Sequence, residues 1–331
     1  MVACAALTVF LTHENPFQVY ATMFRGAFST PRRIWNLLQS LAMLLCVSLA
    51  LTPAFKMRFW NIGGEGQVLI GGLAAAACMI CLGDKLPNAV VILCMIVASL
   101  AAGAIWGFIP AFFKAKWNTN ETLSTLMMNY IAVSFISYLQ YGPWKDPASL
   151  GAAKIARFSD NAILPKVFGI HAGWIIMLAL VVIMTIVLKY TKLGYQIDVL
   201  GESETTARYA GMNTLKIMFA AVMISGGLCG MAGFMQASAI EKSITDSMSG
   251  GLGFTAVITA WLAKLKPPVI VVVSFAFSML LQSGKSLQVI GIPSSITEIL
   301  QGVIIFFVLG SEFFINYKLS FRRENAAKEA E

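Results

Sequence analysis

Apolar residues run through this chain in long uninterrupted blocks, with polar positions gathered in short clusters between them. The blocks cover residues 34–55, 67–83, 88–113, 122–141 and 173–189, and the second half adds 215–240, a shorter 254–265, 268–282 and 294–315. Most of them hold the roughly 17–25 residues that a helix needs to cross a hydrocarbon layer. They are continuous in Leu, Ile, Val, Met and Ala rather than alternating, so the pattern predicts helices spanning lipid and not barrel strands. An opening run, residues 2–11, would rise only about 15 Å as a helix, half of the layer. It is read as half a span or as a span whose start lies outside this chain. It lacks the basic leader and small-residue cleavage site of a signal peptide. Counted with the nine blocks, it makes an all-α polytopic membrane protein of about ten transmembrane helices.

Composition agrees: 58% of the 331 residues are hydrophobic and 12% charged, with a mean hydropathy of +0.75. The net charge of +8 would raise nucleic acid as a partner of a soluble domain. Here the basic residues flank the apolar blocks and are topology signals instead. With the N-terminus placed inside, alternate loops divide Lys and Arg as 14 against 10, and four of the ten lie in the single loop 142–172. The bias places both termini, the loop 191–214 and the tail 318–331 in the cytoplasm, and the loop 142–172 outside.

Several polar interruptions stand out. "FWNIGGEGQ" over 59–67 sets Asn61, Glu65 and Gln67 among three glycines. Backbone freed from a helix at membrane depth persists only where protein or a water-filled cavity satisfies it, so the stretch is read as facing an interior cavity. A solvated turn at the cytoplasmic edge, beside Lys56 and Arg58, is the competing reading. In "NETLSTLMMNYIA", Glu121, Thr125 and Asn129 recur at i, i+4 and i+8 on one helical face, which carries Asn129 about 12 Å deeper than Glu121. Such a stripe marks a pathway or a hydrogen-bonded helix contact. "SMSGGLGF" at 247–254 again sets glycines before a short apolar block, loosely echoing the first break and hinting at two related halves.

The loop 191–214 is read as a turn, then a short helix over 203–210 with Ser203 as N-cap, then Gly211 as the stop. It offers a docking surface or is a plain connector. The loop 142–172, with three prolines, could carry a short interfacial helix or a docking face.

Other chemistry is absent from the pattern. "SGKS" at 283–286 resembles the end of a phosphate-binding loop, but the glycine that motif needs falls on Met279. No protease, hydrolase or paired-carboxylate motif is present. Neither His13 nor His171 has a ligand-spaced partner, and the cysteines lie in apolar segments, so no metal site, cofactor or catalytic residue is expected.

"NIGGEGQ", "NETLSTLMMNYIA" and "GESETTARYAGM", in that order and spacing, resemble the permease subunits of bacterial ABC importers. The resemblance is closest to the ribose, simple-sugar and nucleoside branch, especially the nucleoside type served by a basic-membrane-lipoprotein receptor. It covers nearly the whole chain and implies a single transmembrane permease domain over 1–331 in the bacterial cytoplasmic membrane. It further implies a second permease, identical or sibling, separate ABC ATPase subunits inside and an extracytoplasmic substrate-binding protein. A small neutral solute, most simply a nucleoside and alternatively a simple sugar such as ribose, would pass along Asn61, Glu65, Gln67, Glu121, Thr125 and Asn129. Glu202, Glu204, Arg208, Tyr209 and Gly211 would meet the ATPase. Thr205 and Thr206 stand where relatives often carry Glu-Ala. A secondary transporter would need coupling-ion carboxylates, and the spans hold few beyond Glu65, Glu121 and Glu298.

Overall fold

The computed structural model describes residues 21, 24–83, 85–147, 153–155, 158–167, 170–287, 299, 302–303, 306–307 and 310. The opening run 2–11, most of the block 294–315, the tail 318–331, Glu298 and His13 lie outside the described residues. The chain divides into two units, Pro31–Met279 and a second made of Met1–Thr30 with Leu280–Glu331. In the second, the described residues include helical positions 24–28, where the Phe24 and Phe28 rings meet at 5.3 Å.

The described residues of the first unit are mainly helical, with one small ladder and two isolated bridges. Its elements are α1 Pro31–Lys56, α2 Gly64–Leu82, α3 Asn88–Trp117, α4 Glu121–Tyr141, α5 Gly173–Tyr190, α6 Lys192–Glu202, α7 Glu204–Tyr209, α8 Thr214–Met235 and α9 Leu252–Leu262. A further helix, α10 Pro267–Leu287, begins in this unit. Among the described residues, six helices are long and apolar enough to cross a membrane: α1 to α5, and α8 with its continuation to Glu241. Local chemistry sets their ends. Pro31 opens α1, where a missing N–H costs nothing. Asn120 caps α4 and Asn213 caps α8, each accepting the backbone N–H three residues on. Past Met235 the ladder widens into a π-helical turn over Gln236–Glu241, ending on Lys242 at φ 54°.

Helix α8 packs against α1, α2 and α3. Lipid supplies no hydrophobic drive between helices, so close backbone approach has to do the work. A Cβ on Gly71 would strike the Gly230 carbonyl, one on Gly103 the Gly226 carbonyl, and one on Gly233 the Val68 carbonyl. The Ser99 hydroxyl adds a bond to the Gly71 carbonyl at 2.7 Å, joining α3 to α2.

One loop differs from the sequence expectation, and a second shows which local structure it carries. The segment 191–202, expected as a turn, is the helix α6, and only the part after Ser203 forms the short helix foreseen. The loop 142–172 forms no interfacial α-helix among the described residues. It carries a 3-10 turn at Asp160–Ala162 and a two-residue antiparallel ladder of β1 Lys166–Val167 with β2 Ile170–His171. Ile155 bridges Lys145 on one side and Ile244 on the other, tying this loop to the one after α8.

Candidate functional site

Between α1 and α2 the chain leaves the helix over 57–63. Arg58, at φ 60°, turns it after Lys56, and residues 59–62 run without helical structure. Gly64 and Gly66, expected within the break, lie in the first turn of α2. Gly66 is needed there for proximity, since a Cβ on it would come within 2.9 Å of Asn129 Oδ1 and 3.0 Å of Asn129 Cα.

Side chains replace the missing helical bonds. Asn61, fully buried, donates from Nδ2 to Gln67 Oε1 at 3.2 Å and Ser225 Oγ at 3.0 Å. Its Oδ1 accepts from Gly63 N–H at 3.1 Å and from Gln67 Nε2 at 3.1 Å. Thr125 Oγ1 accepts from Ile62 N–H at 3.2 Å and reaches the Trp60 carbonyl at 3.3 Å. Asn129 donates from Nδ2 to the Ile62 carbonyl at 3.0 Å while its Oδ1 accepts from Gly66 N–H at 2.8 Å. The polar stripe of α4 and the polar break are thus one network, closed from the far side by Ser225 of α8.

Glu65 points elsewhere. Its Oε1 accepts from the Ser249 hydroxyl and from Gly251 N–H at 2.9 Å, and its Oε2 from Gly253 N–H at 2.7 Å. These donors belong to the second glycine cluster, where Gly250 and Gly251 take φ 55° and 77° and open α9. The two breaks therefore meet face to face. Glu121, the sixth path candidate, pairs with Lys114 at 2.6 Å and its carboxylate is not among the network's bonds.

Sequence reasoning did not find Ser225, Ser249, Gly251 or Gly253 as partners. Trp60 and Trp261 were also missed; their rings stack at 5.0 Å and 10° at the end of the break.

The coupling candidates occupy one surface. Lys56 Nζ at the end of α1 meets Asp198 of α6 at 2.6 Å, and Gly201 lets α6 rest directly on the Lys56 carbonyl. Ser203 caps α7, and Glu204 pairs with Arg208 one turn later at 2.6 Å. The helix closes by Met212 N–H bonding the Ala207 carbonyl and Gly211 N–H the Arg208 carbonyl, with Gly211 at φ 73°. Glu202 is exposed, and Tyr209 is 93% exposed. Beside this surface a groove of about 650 Å³ is lined by Arg58, Lys114, Asn118, Glu202, Glu204 and Arg208 among others.

Residues 33–309 match the family model described as branched-chain amino acid transport system / permease component. The chain is 29% identical to a glucose ABC transporter permease of Haloferax volcanii, over 99% of this chain and 88% of that protein. It is 27% identical to a nucleoside ABC transporter permease of Lactococcus lactis subsp. cremoris, over 96% of this chain and 89% of that protein. Its fold is similar to that of a metal-chelate type ABC transporter in an inward-facing conformation, with a TM-score of 0.51 at 15% identity, covering 93% of this chain and 99% of that one. The chain belongs to this family of ABC importer permeases and is a multi-pass membrane protein.

Proposed function

We propose that this member of the permease family carries a nucleoside across the membrane as the non-catalytic, spanning subunit of an importer driven by a separate ATPase. The observation that carries the reading is the full-length similarity to a nucleoside permease. The glucose permease, similar over an equal length, supports a simple sugar as the second reading. A second permease copy or sibling, an ATPase on the face of α6 and α7 and an extracytoplasmic binding protein complete the assembly. Asn61, Gln67, Thr125 and Asn129 hold the break beside the route of the solute, and Glu121 stands at its cytoplasmic mouth. About ten helices, counting the opening run and the block 294–315, form one permease domain with both termini and α7 inside, a placement the basic-residue bias supports. A single cysteine introduced as Thr205→Cys should react with an impermeant reagent only in inverted vesicles; reaction in intact cells would reverse the orientation.

The test of function is uptake by the permease with its ATPase and binding protein in proteoliposomes. Labelled adenosine, guanosine and uridine should enter with ATP, survive collapse of the proton gradient and be competed by nucleosides. Entry of glucose or ribose in their place would establish the sugar reading. Loss of uptake on collapsing the gradient, with ATP maintained, would indicate a secondary transporter.

A further inference from the structure

Glu65 occupies the middle of a line of contacts that crosses the first unit. At one end the loop after α8 is pinned: Ile155 N–H bonds the Ile244 carbonyl at 3.0 Å, and Gln140 Oε1 accepts from Asp246 N–H at 2.9 Å. That loop leads into Ser249, Gly251 and Gly253, which grip the Glu65 carboxylate. From there α9 runs to Trp261, which stacks on Trp60. Trp60 lies just past the end of α1, where Lys56 is paired to Asp198 of α6. Helix α9 is therefore held at its start by Glu65 and at its far end by Trp60, four residues after the Lys56 that pairs with α6.

The start is the chemically specific attachment. Three donors from one five-residue stretch converge on a single carboxylate, whose two oxygens accept all three bonds. The first-turn N–H groups of a helix lack internal partners and carry partial positive charge, so a buried carboxylate there satisfies both sides. Gly253 sits so close that a Cβ would strike the Glu65 backbone N. Glu65 is itself buried, 8% exposed, with its acceptor sites turned to protein donors.

We propose that Glu65 is a positioning residue for transport: its carboxylate fixes the start of α9 to the first turn of α2, next to the break over 57–63, so that movement of the coupling segment is passed to α9 as a unit, and it does not contact the solute. This rests on the transport reading above. Three variants test it in the complex with ATPase and binding protein: Glu65→Gln, Ser249→Asp, and the two combined. Glutamine keeps the shape but turns an amide donor toward N–H donors. In the combined variant the introduced carboxylate at position 249 can accept from the amide N–H of the glutamine at position 65, so the tie made by the Ser249 hydroxyl and the Glu65 carboxylate is remade with donor and acceptor exchanged.

Uptake of labelled uridine and labelled glucose is measured over a range of concentrations, with amide hydrogen exchange of residues 251–255 in nanodiscs. For whichever probe the wild type transports, Glu65→Gln should lower the maximal rate about tenfold or more and leave KM within about twofold, because buried donors lose their acceptor. Exchange at Gly251 and Gly253 should rise, and the combined variant should restore rate and protection to within about threefold of the wild type. A rise in KM with the maximal rate preserved would make Glu65 a solute ligand and overturn the proposal. So would unchanged exchange in Glu65→Gln, or a folded combined variant no better than Glu65→Gln. If the wild type takes up neither probe, the nucleoside and sugar readings fail, while the exchange arm still decides whether Glu65 holds α9. Should Glu65→Gln not accumulate, Ser249→Ala removes one of the three donors and should show a smaller fall in maximal rate at unchanged KM; a raised KM there would equally overturn the proposal.

Discussion

Asn129 shows how one side chain can stand in for helix. Its amide spans the Ile62 carbonyl and the Gly66 N–H, two backbone groups with no helical partner inside the first unit. Replacing it by alanine strands both, at about 1–3 kcal/mol for each buried group left unmade. Asn129→Ala should lower the detergent melting temperature and reduce uptake further than it reduces membrane abundance. Asn129→Asp keeps the acceptor for Gly66 and should fall between; equal stability of all three forms would show the network to be incidental. His171 is a different case. It is 2% exposed, neither ring nitrogen has a partner among the described residues, and burial lowers its pKa from 6.5 to about 4. Below about pH 6.5 the unfolded chain takes up a proton that the folded one refuses, so folding stability is full above that pH and falls as pH drops toward 4. Melting scans from pH 7.5 to 4.5 should show this loss, and His171→Phe should flatten it. The stripe of Thr125 and Asn129 was legible because helical spacing displays it. The partners of Glu65 were not, because they lie 184 to 188 residues away and only the packing of two breaks brings them together.

At the scale of elements, glycine was the hardest residue to read. In "TKLGYQIDVLGE" two glycines look like chain breaks, yet α6 runs through both. Gly194 and Gly201 are small because the Val187 and Lys56 carbonyls lie where a side chain would start. The blocks 34–55, 88–113 and 122–141 needed no such knowledge, since length and hydropathy alone specify a spanning helix. The same proximity makes a prediction for the α3/α8 seam. A methyl on Gly230 would meet the Ser99 carbonyl and lie 3.1 Å from Gly103 Cα, both backbone and so unable to yield cheaply. Gly230→Ala should cost about 1–3 kcal/mol, the range for overpacking a close-packed interior. Thermal unfolding in detergent checks it, with Gly302→Ala, where nothing among the described residues lies within 4 Å, as the neutral control.

For the whole molecule, this member of an ABC permease family is proposed to be moved by a separate ATPase subunit. That energy has to cross an interface as differential binding to two states. The surface proposed to receive it is α7, whose Tyr209 projects into solvent and whose Arg208 makes an exposed one-turn pair with Glu204, of a kind worth little to folding. Gly211, at φ 73°, aims the exit from that helix, and a β-branched residue there would be strained. Pull-down of the ATPase together with substrate uptake, at matched permease abundance, is the decisive measurement on Arg208→Ala combined with Tyr209→Ala, and on Gly211→Val. Both variants should insert normally, retain less ATPase and lose uptake. Wild-type retention and uptake in both would mean that the segment 202–211 is a connector and that the ATPase acts elsewhere.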